Sequence, residues 1–414
     1  EGVEISVISL TPPPWSSRDE SLYFEALKDI NWQVLDQSAI FKKVFQRMRV
    51  VTIGTVPGNA GVSIMTSKKT LRSKLRSMAQ FFYTFLKGLD WSIQVKKHAK
   101  KNFKNENFDY IFCSYPSFAS PLSGIKLKKM GIGKQLIVDF RDPILFKKTS
   151  KLNIRYLLQK YILKHANLKS FISKGVENQV EKNNLRSNHI IAPNGFDPKD
   201  KANIKNIDKK HLNNDLIRFV YTGAIYGGKR DLRPFFKVVS NILSSLNLSK
   251  DQISFEYAGT EGDLFLHQAG EFGLQDYVID HGQLTRKDAL SLQDNSDICL
   301  LATWNTSFEQ GALTGKVFEY FMFEKPVLAI VMGDQPGSEI SKIVDRIGAG
   351  HCFEEAGVNS YENLNKWLMN SINEKLNLGK IENHYNDKLK SFDIREVVLS
   401  ILAKLDEMMI NKNS

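Results

Sequence analysis

The sequence predicts an α/β protein built from two Rossmann-like domains that face a cleft. Short apolar, β-branched runs recur along the 414 residues, and most are followed by a loop and a segment with helical periodicity. This alternation is typical of βαβ units and a parallel sheet. About a dozen such runs exceed one doubly wound sheet, and a polar stretch, residues 199–215, separates the two halves. Two domains are therefore the simplest arrangement.

The predicted strands form one group in each half of the chain. The first half contains Val3–Leu10, Val50–Ile53, Tyr110–Cys113, Gln135–Asp139, Ser170–Ile172 and His189–Ala192. The second half contains Ile217–Gly223, Ile253–Gly259, Tyr277–His281, Asp297–Ala302, Pro326–Val331 and Gly350–Phe353. Helical periodicity is clear at Leu232–Leu246, Lys287–Gln293 and Lys316–Phe323. We predict a first domain over residues 1–205, a second over 206–385, and a C-terminal helix over 386–414 whose packing side stays open.

Composition predicts a cytoplasmic globular protein. Hydrophobic residues make up 42% and charged residues 25%, and no apolar run approaches the length of about 18 residues that a transmembrane helix requires. The N-terminus lacks the basic-then-apolar layout of a signal peptide. Three cysteines, Cys113, Cys299 and Cys352, are too few for a disulfide framework and lack the spacing of a zinc site.

Positive charge is concentrated in one segment. The chain has 57 basic and 45 acidic residues, a net charge of +12, and residues 67–104 hold eleven of the basic residues against one acid, Asp90. The remaining 46 basic and 44 acidic residues give a net charge of only +2. Such a local excess indicates an anionic partner for this segment.

The basic segment also has an apolar stripe at steps of three and four residues, which predicts helix. The stripe consists of Leu71, Leu75, Met78, Phe82, Phe85, Leu86, Leu89 and Ile93. Gly88 and Asp90 predict a break into two helices, with Asp90 capping the second. One interpretation is a core-packed helix with a solvated basic face. The other is a helix pair that docks on anionic lipid; no nucleic-acid-binding module accompanies the charge.

The first candidate site is the glycine-rich loop after the predicted strand Ile217–Gly223. Gly223, Gly228 and Lys229 match the first seven positions of the phosphate-binding pattern G-x-x-x-x-G-K. The eighth position, where Ser or Thr would hold magnesium, is Arg230. We therefore expect a metal-free site in which two cations face a diphosphate. The alternative is a glycine-rich turn with solvated basic side chains.

The second candidate site precedes the predicted helix Lys316–Phe323. Gly311, Thr314 and Gly315 allow a tight turn, and the free N–H groups of a helix N-terminus attract phosphate, as does Lys316. Glu319 shares the helix face of Lys316 and is placed to accept hydrogen bonds from ribose hydroxyls. The alternative is a surface helix with a Lys–Glu pair.

A third candidate, Val138–Pro143, places Asp139, Arg141 and Asp142 at a strand end. These groups are either catalytic or an internally paired turn. The chain has no Asp-x-Asp triplet, and its eight histidines lack metal-ligand spacing, so we predict no metal site.

These motifs together resemble GT-B-type, family-4-like bacterial glycosyltransferases. In the second half, YTGAIYGGKRD, FEYAGTEG and GALTGKVFEYFMFEKPVLAI fall in the order of that family's nucleotide-sugar-binding landmarks, and the last is similar to its G-K-x-x-E-Y…P-V signature. In the first half, SYPS, DFRDP and IAPNGFD resemble acceptor-domain landmarks of polysaccharide-type members. The resemblance extends from Val3 to about Val331.

The sequence departs from that family in two places. Many members have two glutamates separated by seven residues; Glu319 matches the second, whereas the first falls on Gly311, which leaves Glu309 as the candidate sugar-contacting acid. Members also begin with a strand and a glycine-rich loop before the segment that matches Val3–Leu10, and we expect that element to be absent here.

The resemblance implies a glycosyltransferase that moves a sugar from a nucleoside diphosphate sugar to a glycan or lipid-linked acceptor, with retention and without a metal or cofactor. Arg230 and Lys316, with Lys229, would hold the diphosphate near Thr314, Glu319 would bind the ribose, and Asp139 or Asp142 would be the first candidates for a catalytic base. The expected location is the cytoplasm, with peripheral binding to the inner face of the cell membrane as an alternative, and the expected process is polysaccharide synthesis. A nucleotide-sugar epimerase of the same fold and an inactive binding protein remain alternatives, and the base, sugar and acceptor stay open.

Overall fold

A computed structural model describes nine parts of the chain. They are residues 3–11, 30–45, 71–115, 117–142, 154–180, 188–204, 216–311, 313–382 and 384–413. The chain divides into two compact units. The N-terminal unit comprises Glu1–Val56, Ser63–Phe171 and Val180–Ile190, and the C-terminal unit comprises Pro57–Val62, Ile172–Gln179 and Ile191–Ser414. The predicted strand Val50–Ile53 and the predicted boundary at residue 205 lie outside the described residues, and that boundary stays a prediction.

The N-terminal unit contains two sheets and four described helices. Its strands are β1 (Ser6–Leu10), β2 (Asn31–Leu35), β3 (Phe108–Tyr115), β4 (Gly133–Phe140), β5 (Leu168–Phe171) and β6 (His189–Ile191). Its helices are α1 (Ala39–Phe45), α2 (Leu71–Asn102), α3 (Ala119–Lys129) and α4 (Ile154–His165). Strands β1 and β2 pair in parallel, and the second sheet has the order β3-β4-β5-β6. The sequence did not predict β2.

Helix α2 corrects one prediction. It runs without interruption from Leu71 to Asn102, so the predicted break at Gly88 and Asp90 is wrong. The Asp90 carboxylate does not cap α2: it accepts hydrogen bonds from the Ser38 backbone N–H at 2.8 Å and the Ser38 hydroxyl at 2.6 Å, immediately before α1. A polar residue in mid-helix is therefore explained by a tertiary contact that local propensity does not reveal.

The buried face of α2 differs from the predicted stripe. Trp91, Val95 and Ala99, spaced by four residues, are buried in the core of this unit. Phe82, Leu86 and Ile93, which belong to the predicted stripe, keep 51%, 41% and 44% of their surface exposed. The side chains at positions 71–78 lie outside the described residues. The core of the unit therefore packs on only one side of the helix.

The C-terminal unit is a larger α/β structure. Its strands are β7 (Ile217–Thr222), β8 (Ile253–Ala258), β9 (Val278–Asp280), β10 (Ile298–Trp304), β11 (Val327–Met332) and β12 (Gly350–Glu354). Its helices are α5 (Lys174–Asn178), α6 (Pro198–Ile204), α7 (Arg233–Leu246), α8 (Gly262–Gly270), α9 (Arg286–Asp294), α10 (Lys316–Met322), α11 (Glu339–Ile347), α12 (Ser360–Leu378) and α13 (Ile394–Asn413). Two 3₁₀ turns cover Gln275–Tyr277 and Asp387–Phe392.

The six strands of the C-terminal unit form one parallel sheet in the order β12-β11-β10-β7-β8-β9. Read from β9, this is the doubly wound order 3-2-1-4-5-6. The chain moves outward from β7 in one direction, then returns and moves outward from β10 in the other. The two strands are neighbours, and the loops that follow them diverge, which makes this point a ligand-binding crevice in open α/β sheets.

Aromatic side chains fill the core on one side of this sheet. Phe219, Phe235, Phe236, Phe255 and Phe265 are fully buried, with ring centroids 5.1–5.8 Å apart in their successive pairs. Each large aromatic ring removes about 150–250 Å² from water. This rigid packing fixes β7 and β8, and therefore the start of the loops that follow them.

The C-terminal helical stretch is divided. The structure has a 3₁₀ turn at Asp387–Phe392 and then α13, whereas the sequence predicts one helix over residues 386–414. Asp393 is extended between them and forms a β-bridge with Phe196. Val397, Ile401 and Leu405 are buried, so α13 packs through one face.

Candidate functional site

The turn after β7 is glycine-rich and left-handed. Gly223, Gly227 and Gly228 have φ angles of +117°, +63° and +90°, and Tyr226 has φ +55° although it carries a side chain. Such a conformation is uncommon for a residue with a Cβ atom and persists only when its surroundings hold it. The glycines of the phosphate-binding pattern therefore serve a real tight turn.

The backbone N–H groups of this turn are already bonded to a carboxylate. Glu261 accepts hydrogen bonds from the N–H groups of Ile225 at 2.6 Å, Tyr226 at 2.9 Å and Gly227 at 2.7 Å. Tyr257 connects the same two loops, because its hydroxyl donates to the Gly223 carbonyl and accepts from the Glu261 N–H, both at 3.0 Å. Burial raises the pKa of Tyr257 to about 12, so this hydroxyl stays protonated at neutral pH.

Lys229 lies between an acid and an indole. Its Nζ is 2.5 Å from the Glu309 carboxylate and 3.6 Å from the centre of the Trp304 ring. Trp304 ends β10 and Glu309 lies in the loop that follows, so this contact connects the two diverging loops at the β7–β10 crevice. The indole Nε1 of Trp304 is buried and has no hydrogen-bond partner.

Arg230 is held by the turn itself. Its Nη1 donates to the Ala224 carbonyl at 3.1 Å, and its guanidinium lies over the Tyr226 ring, 4.6 Å from the ring centre. Its Nε is buried and has no hydrogen-bond partner among the described residues. An arginine with a spare buried donor beside a glycine-rich turn is suited to bind an anion.

Lys316 and Glu319 belong to a partly buried polar network. Glu319, whose side chain is 16% exposed, accepts from Lys316 Nζ at 3.1 Å, from Gln293 Nε2 at 2.9 Å and from Arg286 Nη1 at 3.1 Å. The same Gln293 amide donates to Thr222 Oγ1 at 2.8 Å, at the end of β7. Arg286 also pairs with Asp200 at 2.6 Å. The carboxylate is thus fixed in place from three sides.

Lys316 reaches toward the turn after β7. A Cβ atom built at Gly223 would lie 3.7 Å from Lys316 Cε, so the lysine side chain lies beside that glycine. Gly223, Lys316 and Glu319 therefore lie close together at the crevice. Their roles toward a donor stay predictions.

Thr314 has a local role in the structure. Its hydroxyl accepts from the Lys316 N–H at 3.3 Å, and its carbonyl accepts from the Val317 N–H at 3.3 Å. These bonds satisfy part of the first turn of α10, which has only seven residues. The short helix makes the predicted contribution of its N-terminus small compared with that of the nearby cations.

Gly311 explains why an acidic side chain is missing at this position. Its φ is +78°, and a Cβ atom there would lie 2.7 Å from Ser173 Oγ and 2.7 Å from the Val176 nitrogen. Ser173 also donates to the Gly311 carbonyl at 3.0 Å. The loop before α5 and the loop after β10 thus meet backbone to backbone, and no side chain fits between them.

The two aspartates predicted as catalytic lie in the N-terminal unit. Asp139, at the end of β4, is 1% exposed, and its oxygens accept from Ser170 Oγ at 2.8 Å and from the Arg141 guanidinium. These contacts fit the internally paired alternative. Asp142 has a pKa raised by desolvation, which is the direction expected for a group that carries a proton. Pro143, the last residue of the predicted segment, lies outside the described residues.

Several site residues have no clear sequence signal. Asp200 lies on α6, Glu261 precedes α8, and Arg286 and Gln293 both lie on α9. These residues are up to 119 positions away from Glu319 along the chain. Only Glu261 lay within a quoted landmark, FEYAGTEG. Trp304 and Tyr226 form an edge-to-face pair, with ring centres 6.4 Å apart, that strand and loop patterns do not predict.

Metal-binding clusters and membrane-spanning helices are both absent from the described residues. Across the described ranges, no group of three or more His, Cys, Asp or Glu side chains is arranged to hold a metal ion. None of the described helices combines the length and the apolar character that a membrane span requires.

Solved structures of similar architecture match along the whole chain. No protein-family model and no curated protein matches the sequence significantly. The sucrose-phosphate synthase of Thermosynechococcus elongatus is similar with a TM-score of 0.58 at 12% identity, over 99% of this chain and 100% of that one. An α,α-trehalose-phosphate synthase (UDP-forming) from Burkholderia vietnamiensis has a TM-score of 0.58 at 9% identity, over 98% of each chain.

A lipopolysaccharide outer core galactosyltransferase is also similar, with a TM-score of 0.52 at 13% identity, over 99% of this chain and 100% of that one. All three structures are glycosyltransferases, and identities this low establish the fold and not the activity. The predicted fold class is confirmed: the chain has the α/β fold with two Rossmann-like domains of the GT-B glycosyltransferases.

Proposed function

We propose that the protein is a glycosyltransferase that moves a sugar from a nucleoside diphosphate sugar to a glycan or lipid-linked acceptor, with retention and without a metal. One observation supports the proposal most strongly. Lys229, Arg230 and Lys316 lie at the β7–β10 crevice of a doubly wound sheet, beside the fixed carboxylate of Glu319. Basic groups next to an acid that can bind hydroxyls suit a ribose attached to a diphosphate.

The three basic residues differ in whether their donor groups are already engaged within the protein. Lys229 and Lys316 each pair with a glutamate, whereas the buried Nε of Arg230 has no hydrogen-bond partner within the residues that the structure describes. When the bond between sugar and phosphate breaks, negative charge develops on the leaving diphosphate. Donors prepositioned toward that charge lower the barrier, and they act without a metal in this proposal. Arg230 is therefore the strongest candidate to stabilise the leaving group.

The Glu319 carboxylate is positioned to accept hydrogen bonds from hydroxyl groups. A carboxylate has about four acceptor positions, and three of them are used by Lys316, Gln293 and Arg286. A ribose hydroxyl can take the remaining position, and a second can replace Lys316 when that lysine turns to the diphosphate. Glu309, paired with Lys229 in the loop after β10, is the candidate for contact with the sugar because position 311 cannot hold a side chain.

We propose that helix α2 docks on an anionic membrane. At 100° per residue, Phe82, Leu86 and Ile93 fall on the same face as Lys96, Lys97 and Lys100, and this face is opposite to the buried Trp91. These residues are exposed, so one solvent-facing strip is apolar at its start and basic at its end. This is the composition of an interfacial helix. It would bring a lipid-linked acceptor to the enzyme.

We predict that changing Lys96, Lys97, Lys100 and Lys101 together to Gln lowers binding to vesicles that contain phosphatidylglycerol by up to roughly 10³-fold, because each of the four basic residues contributes about 1 kcal/mol at an anionic surface. Sedimentation with and without that lipid, at low and high salt, measures the change. A matched control changes Lys366, Lys380, Lys388 and Lys390, which are exposed in the C-terminal unit. Equal loss in both variants, or binding that ignores salt, contradicts membrane docking.

A first experiment separates the proposed transferase from the epimerase and the inactive binding protein. Thermal-shift screening selects the nucleoside diphosphate sugar that stabilises the protein most, since a bound ligand raises stability by mass action. The selected donor is then incubated alone, and with a lipid and glycan extract as acceptor. We expect an unchanged sugar nucleotide without acceptor and released nucleoside diphosphate with acceptor. An isomerised sugar nucleotide without acceptor would support an epimerase. Stable binding of the donor without any turnover would support an inactive binding protein.

A further inference from the structure

The turn after β7 binds a carboxylate of the protein itself, that of Glu261. Three consecutive N–H groups, those of Ile225, Tyr226 and Gly227, all point to the carboxylate of Glu261. Converging backbone N–H groups of this kind form a concave anion-binding nest. In phosphate-binding loops that nest holds a phosphate, but here a side chain of the same unit occupies it.

Glu261 is placed for this contact and not for helix capping. It occupies the position before α8, yet its side chain makes no capping hydrogen bond to that helix. Its own N–H donates to the Tyr257 hydroxyl, which in turn donates to the Gly223 carbonyl. The loops after β7 and β8 are thereby joined at two points. A Cβ atom at Gly259 would lie 2.6 Å from the Gly223 carbonyl oxygen, so the loops also touch directly.

The joined turn sets the direction of Arg230. The guanidinium lies on the Tyr226 ring and donates to the Ala224 carbonyl, and the Arg230 N–H donates to the Ile225 carbonyl at 3.0 Å. Every one of these partners lies in the turn that Glu261 holds. Tyr226 has φ +55°, a strained backbone conformation for a residue with a Cβ atom, and this conformation needs support from outside the turn. Glu261 supplies that support without touching Arg230.

We infer that Glu261 is a positioning residue: it fills the backbone anion nest of the turn, fixes Arg230 with a free Nε, and leaves diphosphate binding to side chains instead of loop N–H groups. The inference rests on the proposed function for the identity of the anion. The geometry of the turn can be tested without any ligand.

Two variants test the inference by hydrogen exchange and by binding. In Glu261→Ala, we expect the amides of residues 224–228 to exchange at least tenfold faster than in the parent, because the turn loses three hydrogen bonds. We expect the affinity for UDP or GDP, whichever the parent binds, to fall roughly tenfold. The exchange rates and the affinity of Glu261→Gln should lie between those of the parent and those of Glu261→Ala, since one amide oxygen replaces two carboxylate oxygens. Glu374→Ala is the control, because that carboxylate accepts one N–H, from Glu382, outside the turn.

Acetate provides a readout that loss of stability alone would not give. Added acetate should occupy the empty nest of Glu261→Ala and restore both protection and affinity in part, whereas chloride at the same ionic strength should not. Unchanged exchange in Glu261→Ala, unchanged affinity, or no difference between acetate and chloride would overturn the inference. If the parent binds neither UDP nor GDP, the proposed function fails, and the exchange and acetate measurements still decide whether Glu261 holds the turn.

Discussion

Replacing Arg230 or Lys316 with alanine is expected to lower kcat by about 10²–10³-fold, which is typical for the loss of one prepositioned donor at a developing charge. Affinity for the ground-state nucleoside diphosphate sugar should fall much less, because the charge on the diphosphate increases as the bond to the sugar breaks. Arg230 should have the larger effect. Its buried Nε has no hydrogen-bond partner in the described part of the chain, while Lys316 Nζ must first leave Glu319.

Steady-state kinetics of the two variants measure this difference, with the donor varied at saturating acceptor. Arg233→Ala is a matched control, because this arginine lies three positions after Arg230 and pairs with Glu271 at 2.7 Å instead of facing the turn. We expect the control to retain parental kcat. An increase in KM with unchanged kcat in Arg230→Ala and Lys316→Ala would show that these cations only bind the ground state.

Replacing Glu319 with alanine is expected to weaken binding of the nucleoside diphosphate and of the nucleoside diphosphate sugar equally, since both contain the ribose. Two charge-assisted hydrogen bonds to the ribose hydroxyls are worth roughly 2–4 kcal/mol, or about 30–1,000-fold in affinity. Part of the loss is indirect, because removal of the carboxylate also releases Lys316 and Arg286.

A double-mutant cycle separates the direct part. The parent should bind a 2′-deoxynucleoside diphosphate more weakly than the ribonucleotide, and Glu319→Ala should bind the two alike. Glu271→Ala, which removes an exposed carboxylate paired with Arg233, should keep the parental preference. If Glu319→Ala still prefers the ribonucleotide by the parental factor, Glu319 does not contact that hydroxyl.

The sequence predicts most of the C-terminal unit because its strands are strong local signals. All six of its predicted strands overlap observed ones, and Gly223 and Gly228 have the positive φ angles that a tight turn requires. The order of the strands in the sheet is harder to predict from the sequence, because it depends on which strands pair and not on their composition. The β7–β10 crevice therefore becomes visible only in the folded sheet.

The errors share a physical cause, which is tertiary contact. Asp90 reads as a helix cap by its type, but it is accommodated inside α2 because it binds Ser38. Asp393 interrupts the C-terminal helical pattern because it pairs with Phe196. Strand β2 was missed, and its pairing with β1 over Asn31–Leu35 is likewise a contact between distant parts of the chain.

The sequence predicts only part of the candidate site, because the remaining residues are recognised by their tertiary contacts. Lys229, Arg230, Lys316 and Glu319 stand out because charged residues follow strands or begin a helix. Glu261 carries no such mark: a glutamate before a helix is common, and its function depends on three N–H groups in another loop. Gln293 is a polar residue on a helix, and its buried position between Thr222 and Glu319 appears only after folding.

The central claim is sugar transfer from a nucleoside diphosphate sugar, and one assay tests it most directly. The protein is incubated with a nucleoside diphosphate sugar labelled in the sugar, in the presence of EDTA, with a bacterial lipid and glycan extract as acceptor. We predict that label enters the extract with its anomeric configuration retained, in proportion to nucleoside diphosphate released, and that Arg230→Ala reduces both by about 10²-fold or more. Complete loss of transfer in EDTA, or no transfer from any UDP- or GDP-sugar by the folded parent, would contradict the account.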